Sequence, residues 1–194
     1  MALNEHEIEL TELEFAVLRL SAAFNRWNES ACLAVGGEQL TASEINLLHI
    51  IGMQGRPKSA ATVSSLLNRD DQANIQYGLR KLRKLGLIKD VPGRSRKSFD
   101  YDVTPEGRKF VEDFAELARE IVYSATATID QAVDRFVISA DILRILTGIF
   151  DESARIAQTY PVRKKHEPFT DRKNESSSGT SKPGTGMTQD PKPE

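Results

Sequence analysis

Apolar residues in the first part of the chain recur in alternating steps of three and four, at Leu10, Leu13, Val17, Leu20, Phe24, Trp27 and Ala31. That spacing places them on one seam of a long helix, and Gly36 with Gly37 marks its expected end. Thr41-Ala-Ser-Glu44 then has the order of a capping box, predicting a second helix through Ile45, Leu48 and Ile51 to Gly52. After a turn at Gly55 to Lys58, Ser59 is the expected cap of a short helix over 61–67, with Val63, Leu66 and Leu67 inward. Asp70 and Asp71 open the next helix, over 72–85, whose inward stripe is Ile75, Leu79 and Leu82 and whose stop is Gly86.

The period then changes. Residues 87–91 and 98–103 read as two strands, the second alternating Phe99, Tyr101 and Val103 inward with Ser98, Asp100 and Asp102 outward. Residues 92–97 form the turn between them. Thr104-Pro105-Glu106 restarts helix with a hydroxyl cap, a proline in the first turn and an acid at the positive end of the dipole. Phe110, Phe114, Leu117 and Ile121 carry its stripe, and after a break between 131 and 138 Ser139 is the expected cap of a last helix bearing Ile142, Leu146, Ile149 and Ile156. The region 161–194, rich in Ser, Gly, Pro, Lys and Thr, is expected to be a disordered tail. The chain therefore divides into an N-terminal helix (1–40), a helix-turn-helix with a hairpin (41–108), C-terminal helices (109–160) and the tail (161–194). Its fold class is mainly α with a small β-hairpin.

The net charge of -2 does not by itself indicate a polyanionic partner, but the charges are unevenly placed. Glu5, Glu7, Glu9, Glu12, Glu14 and Glu29 dominate the first thirty residues, whereas Arg80, Lys81, Arg83, Lys84, Lys89, Arg94, Arg96 and Lys97 meet only Asp90 over 80–97. Cys32 is the single cysteine, so neither an internal disulfide nor a cysteine-rich zinc cluster can be built. No apolar run approaches the length of a membrane span, and a cytoplasmic protein without a membrane partner is expected. His6, His49 and His166 stand apart from one another, which gives no metal site. Neither a phosphate loop nor a nucleophile elbow is present, so no cofactor and no enzymatic activity are expected.

Two helices joined by a turn and followed at once by a basic hairpin follow the order of a winged helix-turn-helix. A helix fits the major groove, where polar side chains meet base edges while neighbouring cations neutralise phosphates. On that logic Asn74 and Gln76 are candidates for pairing with adenine, Gln72 and Tyr77 are their neighbours, and Ala73 suits a thymine methyl. Arg80 is assigned to phosphate, with some of Lys81, Arg83 and Lys84. Arg94, Arg96 and Lys97 at the hairpin turn are assigned to the minor groove or backbone.

With Leu82-Arg-Lys-Leu-Gly-Leu-Ile88 leaving the reading helix and Val103-Thr-Pro-Glu-Gly-Arg108 joining strand to helix, residues 41–108 resemble the DNA-binding domain of the MarR family of bacterial transcriptional regulators. The long flanking helices extend the likeness to about 9–160 as architecture. The resemblance implies a homodimer formed by the first and last helices, two reading heads on a pseudo-palindromic double-stranded DNA operator, and control by a small aromatic or anionic effector. Phe24, Arg26 and Trp27 are the candidate effector residues, with core or dimer packing as the competing role for the two rings. The hairpin departs from the family: Gly93-Arg-Ser-Arg-Lys97 lacks the Asp-x-Arg pattern often found there. The leading expectation is a dimeric, sequence-specific regulator acting as a repressor, and the alternative is a winged-helix module that binds protein instead. For Cys32 a structural role is favoured over redox sensing.

Overall fold

The structure, a computed structural model, describes residues 4–37, 40–93 and 98–160. Two units are distinguished, Met1–Phe136 and Val137–Glu194. The expected tail at 161–194 lies outside the described residues.

The first helix, α1 (Glu5–Ala34), begins at Asn4, whose side chain accepts from Glu7 N at 2.9 Å. Of the seam only Ala31 is buried, with Asn28 and Cys32 beside it. Phe15, Leu18, Leu20 and Phe24 are more than half exposed. Helix α2 (Ala42–Gly52) carries the complete capping box: Thr41 Oγ1 accepts from Glu44 N, and Thr41 N donates to Glu44 Oε2 at 2.8 Å. Its Ile45, Leu47, Leu48 and Ile51 are fully buried and form the centre of the core.

Helix α3 (Ala60–Leu66) is capped by Ser59 and ends at Asn68 in the left-handed region (φ 50°), a conformation asparagine tolerates better than most residues. Val63 is buried as expected, but Leu66 is exposed and Ser64 takes the inward place. The Ser64 hydroxyl donates to the Arg69 carbonyl, which satisfies it in the core. Helix α4 (Gln72–Lys84) buries Ile75, Gly78, Leu79 and Leu82 against α2. A Cβ at position 78 would lie 2.5 Å from Leu47 Cδ1, so glycine sets how closely the two helices cross. Gly86, with φ 73°, turns the chain out of α4.

Strands β1 (Ile88–Pro92) and β2 (Phe99–Val103) pair antiparallel, from Ile88 opposite Val103 to Pro92 opposite Phe99. Burial declines along the hairpin. Val103 is buried and Tyr101 half-buried, but Phe99 at the far end is 64% exposed, because the ribbon has left the core by that point. Lys58 adds a bridge to the edge of β2 through Lys58 N to Tyr101 O (2.9 Å) and Tyr101 N to Lys58 O (2.8 Å). Its buried ammonium closes the end of α2 by donating to the carbonyls of Ile51 and Arg56, each at 3.1 Å, and to that of Met53. Burial lowers the pKa of Lys58 from its ordinary value.

Helix α5 (Pro105–Ala118) starts at Thr104, whose hydroxyl accepts from Gly107 N at 3.0 Å. Phe110 and Phe114 are buried, but Ile121 is 52% exposed, contrary to the expected stripe. A π-helical turn over Arg119–Tyr123 explains it: the wider turn breaks the 3.6-residue register and moves Ile121 off the buried face. A single turn, α6 (Ser124–Thr126), follows. The last helix, α7 (Ala132–Ala157), begins after Gln131 at φ 51°, so Ser139 lies inside it rather than capping it. Apolar Val133, Phe136, Val137 and Ile138 sustain helix through the proposed cap position. No residue of α7 is buried.

Candidate nucleic-acid interface

The turn between α3 and α4 is held by a network the sequence analysis did not identify. Arg69 grips Asp71 with two donors, Nε to Oδ1 at 2.7 Å and Nη2 to Oδ2, and its Nη1 donates to Ser43 Oγ at the start of α2. Asn74 Nδ2 donates to Asp71 Oδ2 at 3.2 Å. Hydrogen bonds from Arg69 and then Asn74 hold the Asp71 carboxyl down at about 2, so it is ionised at any working pH. On the other side Gln72 Nε2 donates to Ser64 Oγ at 3.0 Å. Both Gln72 and Asn74, read from sequence as groove-facing, are thus engaged by the turn. The adjacent Arg69-Asp70-Asp71 was the available signal, but charge neighbours in sequence do not reveal which carboxylate a guanidinium meets.

The cations of α4 divide in the same way. Lys81 Nζ donates to Glu44 Oε2 at 2.7 Å, joining α4 to the capping box of α2. Arg83 pairs with Asp90 on β1, also at 2.7 Å. Arg80 and Lys84 are exposed and have no ion pair among the described residues. They lie with Ala73 and Tyr77 at helical spacings of three and four, on the side of α4 opposite Ile75, Leu79 and Leu82, while Gln76, one turn before Leu79, sits at the border of the buried face. Tyr77 is 61% exposed and Gln76 half-buried. At the hairpin, Gly93 N donates to Ser98 O at 3.0 Å. Arg94, Arg96 and Lys97 lie outside the described residues.

A separate cavity of about 530 Å³ opens between α1, α2, α5 and the π-helical turn. Phe24 and Trp27 line it with Asn28, His49, Phe114 and Tyr123, whereas Arg26 is exposed on α1 outside the lining. The His49 ring stands edge-on to Phe114 at 4.7 Å and 79°, and its Nε2 is buried without a hydrogen-bond partner. Desolvation lowers the His49 pKa, so the neutral ring is favoured. His49, which the sequence showed only as an isolated histidine, is brought to Trp27 by the packing of α2 against α1. Cys32 is fully buried, and that burial raises its thiol pKa, which disfavours the reactive thiolate.

Residues 40–107 match the winged helix DNA-binding domain family. The structure is similar to the transcriptional regulator BldR from Sulfolobus solfataricus, with TM-score 0.59 and 15% identity over 73% of this chain and 99% of that one. Mutant MarR from E. coli complexed with operator DNA gives 0.57 and 15% over 70% and 96%. A MarR family regulator from Neisseria meningitidis gives 0.56 and 17% over 75% and 98%. This is a winged-helix protein with the MarR-type fold. A sequence comparison with curated proteins gives no match. In this winged-helix domain α3 and α4 are the helix-turn-helix, and β1 with β2 is the wing. Among the described residues no helix is long and apolar enough to cross a membrane.

Proposed function

We propose that the protein is a sequence-specific transcriptional regulator that binds double-stranded DNA as a homodimer, acts as a repressor, and works by binding rather than by catalysis. The observation that carries this reading is the outward stripe of α4, where Arg80 and Lys84 are uncommitted to ion pairs among the described residues beside the polar Gln76 and Tyr77. A helix with that stripe, on a domain matched over 40–107, has the shape for a major groove and the charge for its flanking phosphates. Dimerisation draws support from apolar side chains of α1 and α7 that are half or more exposed, among them Leu18, Phe24, Ile145 and Ile149. Two heads related by a twofold axis would read a two-fold symmetric site.

Control by a small aromatic effector rests on the cavity that Phe24 and Trp27 line. The lining contains no cation, which favours a ring over an anion as the occupant. Selection of duplexes from a random pool, repeated over a salt series, tests the main reading. Enrichment of a symmetric site with affinity falling steeply as salt rises is expected, and salt-insensitive binding without enrichment would instead point to a protein-binding winged helix. Trp27, the single tryptophan, reports ligands directly by its fluorescence.

A further inference from the structure

We propose that base recognition by α4 falls to Gln76, with Tyr77 beside it, while the exposed amides of Gln72 and Asn74 serve to position the helix-turn-helix. This rests on the DNA-binding role proposed above and assigns the residues that give it sequence specificity. By residue type the three amides are interchangeable, since each can pair bidentately with the N6 and N7 edge of adenine. Their surroundings separate them.

Asn74 has already committed a donor to Asp71 Oδ2, the same oxygen that Arg69 Nη2 holds. Turning its amide toward a base would break a bond to an ionised acceptor, among the stronger side-chain bonds a protein makes. Gln72 is committed to Ser64 Oγ, which in turn donates to the Arg69 carbonyl. The chain Gln72–Ser64–Arg69–Asp71–Asn74 therefore encircles the turn, and Arg69 extends it to Ser43 on α2. It fixes the entry of α4 relative to the rest of the domain, and a reading helix must be held within a fraction of an ångström for its contacts to discriminate.

Gln76 has no hydrogen bond among the described residues, so both its carbonyl and its amide protons are available. Half-buried one turn before Leu79, it sits at the border of the buried face and flanks the outward stripe of Ala73, Tyr77, Arg80 and Lys84. Adjacent Tyr77 offers a ring edge to a thymine methyl and a hydroxyl that can donate or accept. The ligand class is accordingly a duplex with an A·T pair facing Gln76 in each half-site. Arg80 and Lys84 flank it on phosphates.

The test is duplex selection with the full chain and three variants, each checked by circular dichroism for native helix content. The wild type is expected to enrich adenine at one position of each half-site. Gln76→Ala should erase that preference and weaken the selected site by roughly 10- to 100-fold. Gln76→Glu should shift the preference toward cytosine, whose N4 amine donates to a carboxylate. Asn74→Ala, which loosens the entry of α4, should lower affinity for all duplexes and shrink the adenine preference without changing which base is preferred at any position. An unchanged site for Gln76→Ala, or a preference erased by Asn74→Ala, overturns the assignment while leaving the DNA-binding reading intact. A wild type that holds no duplex at any salt concentration defeats both.

Discussion

Helices α2 and α7 are both rich in isoleucine and leucine, yet α2 buries six of its eleven residues and α7 none of its twenty-six. The difference is one of company. Around α2 lie α1, α3, α4, α5 and β2, so every face of a short helix meets another element of its own chain. Among the described residues, apolar Val133, Phe136, Ile145, Ile149 and Phe150 on α7 are about half exposed or more. A side chain of this kind contributes roughly 1.5–3 kcal/mol on going from full exposure to full burial, and those of α7 are about half exposed, so part of that contribution is still open to α7, whereas α2 has used its share in folding.

The sharpest way to break that comparison is to charge α7. Replacing Ile142 and Ile149 together with Asp should remove their apolar contribution and place two unpaired carboxylates in the proposed dimer seam, a cost on the order of 5 kcal/mol or more, turning the proposed dimer into a monomer in sedimentation velocity. If both forms sediment alike, the exposed face of α7 is not what pairs the subunits. Next in size is Leu48→Ala in the centre of α2, expected to cost about 2–5 kcal/mol in denaturant unfolding because the closed core cannot collapse around the lost volume. A loss well below that range would mean that α2 is less tightly enclosed than its burial implies.

Lys58→Ala should cost about 1–3 kcal/mol by stranding the carbonyls at the end of α2, and it should loosen the attachment of β2. Protection of the Tyr101 amide from hydrogen exchange measures the second effect directly, and undiminished protection would show that the backbone bridge alone anchors the wing. Thr41→Ala removes half of the capping box and should cost about 1 kcal/mol, read from the shift in unfolding midpoint. The smallest expected effect concerns His49. Its folded-state pKa is depressed by burial, so the stabilisation is fully present above the unfolded value of about 6.5 and is lost as pH falls through the folded pKa. His49→Phe should flatten that part of a stability-pH profile, and an unaltered slope would assign it to another group.

Most elements were legible because their signals are local. Capping at Thr41, Ser59 and Thr104 depends on a hydroxyl meeting an amide three residues away, and all three caps form as read. Errors fell where a local rule met a distant constraint. Leu66 satisfied the helical period but the core took Ser64 instead, since that hydroxyl finds an acceptor at Arg69. Ile121 was placed inward by counting 3.6 residues per turn through a π-helical turn that the count does not detect. Ser139 has the chemistry of a cap, but apolar residues on both sides carried the helix straight through it. Within the candidate stretch 72–80, which amides are already hydrogen-bonded was not legible. Gln72, Asn74 and Gln76 are equivalent as amides, and their separation arises from Ser64 and Asp71 in the turn.

Sequence by itself determined the order of elements, their caps and the basic character of α4 with its hairpin, because periodicity, hydroxyl placement and charge are properties of neighbouring residues. Tertiary structure alone decided which polar groups remain free to act. Lys81 and Glu44 lie thirty-seven positions apart, beyond the reach of any local rule, and only folding brings that lysine to its carboxylate while leaving Arg80 and Lys84 without an ion pair among the described residues. His49 and Trp27 likewise meet in one cavity because α2 packs on α1. A side chain's availability is set by what long-range packing places within about 3 Å of it, and that distance is not written in its spacing along the chain.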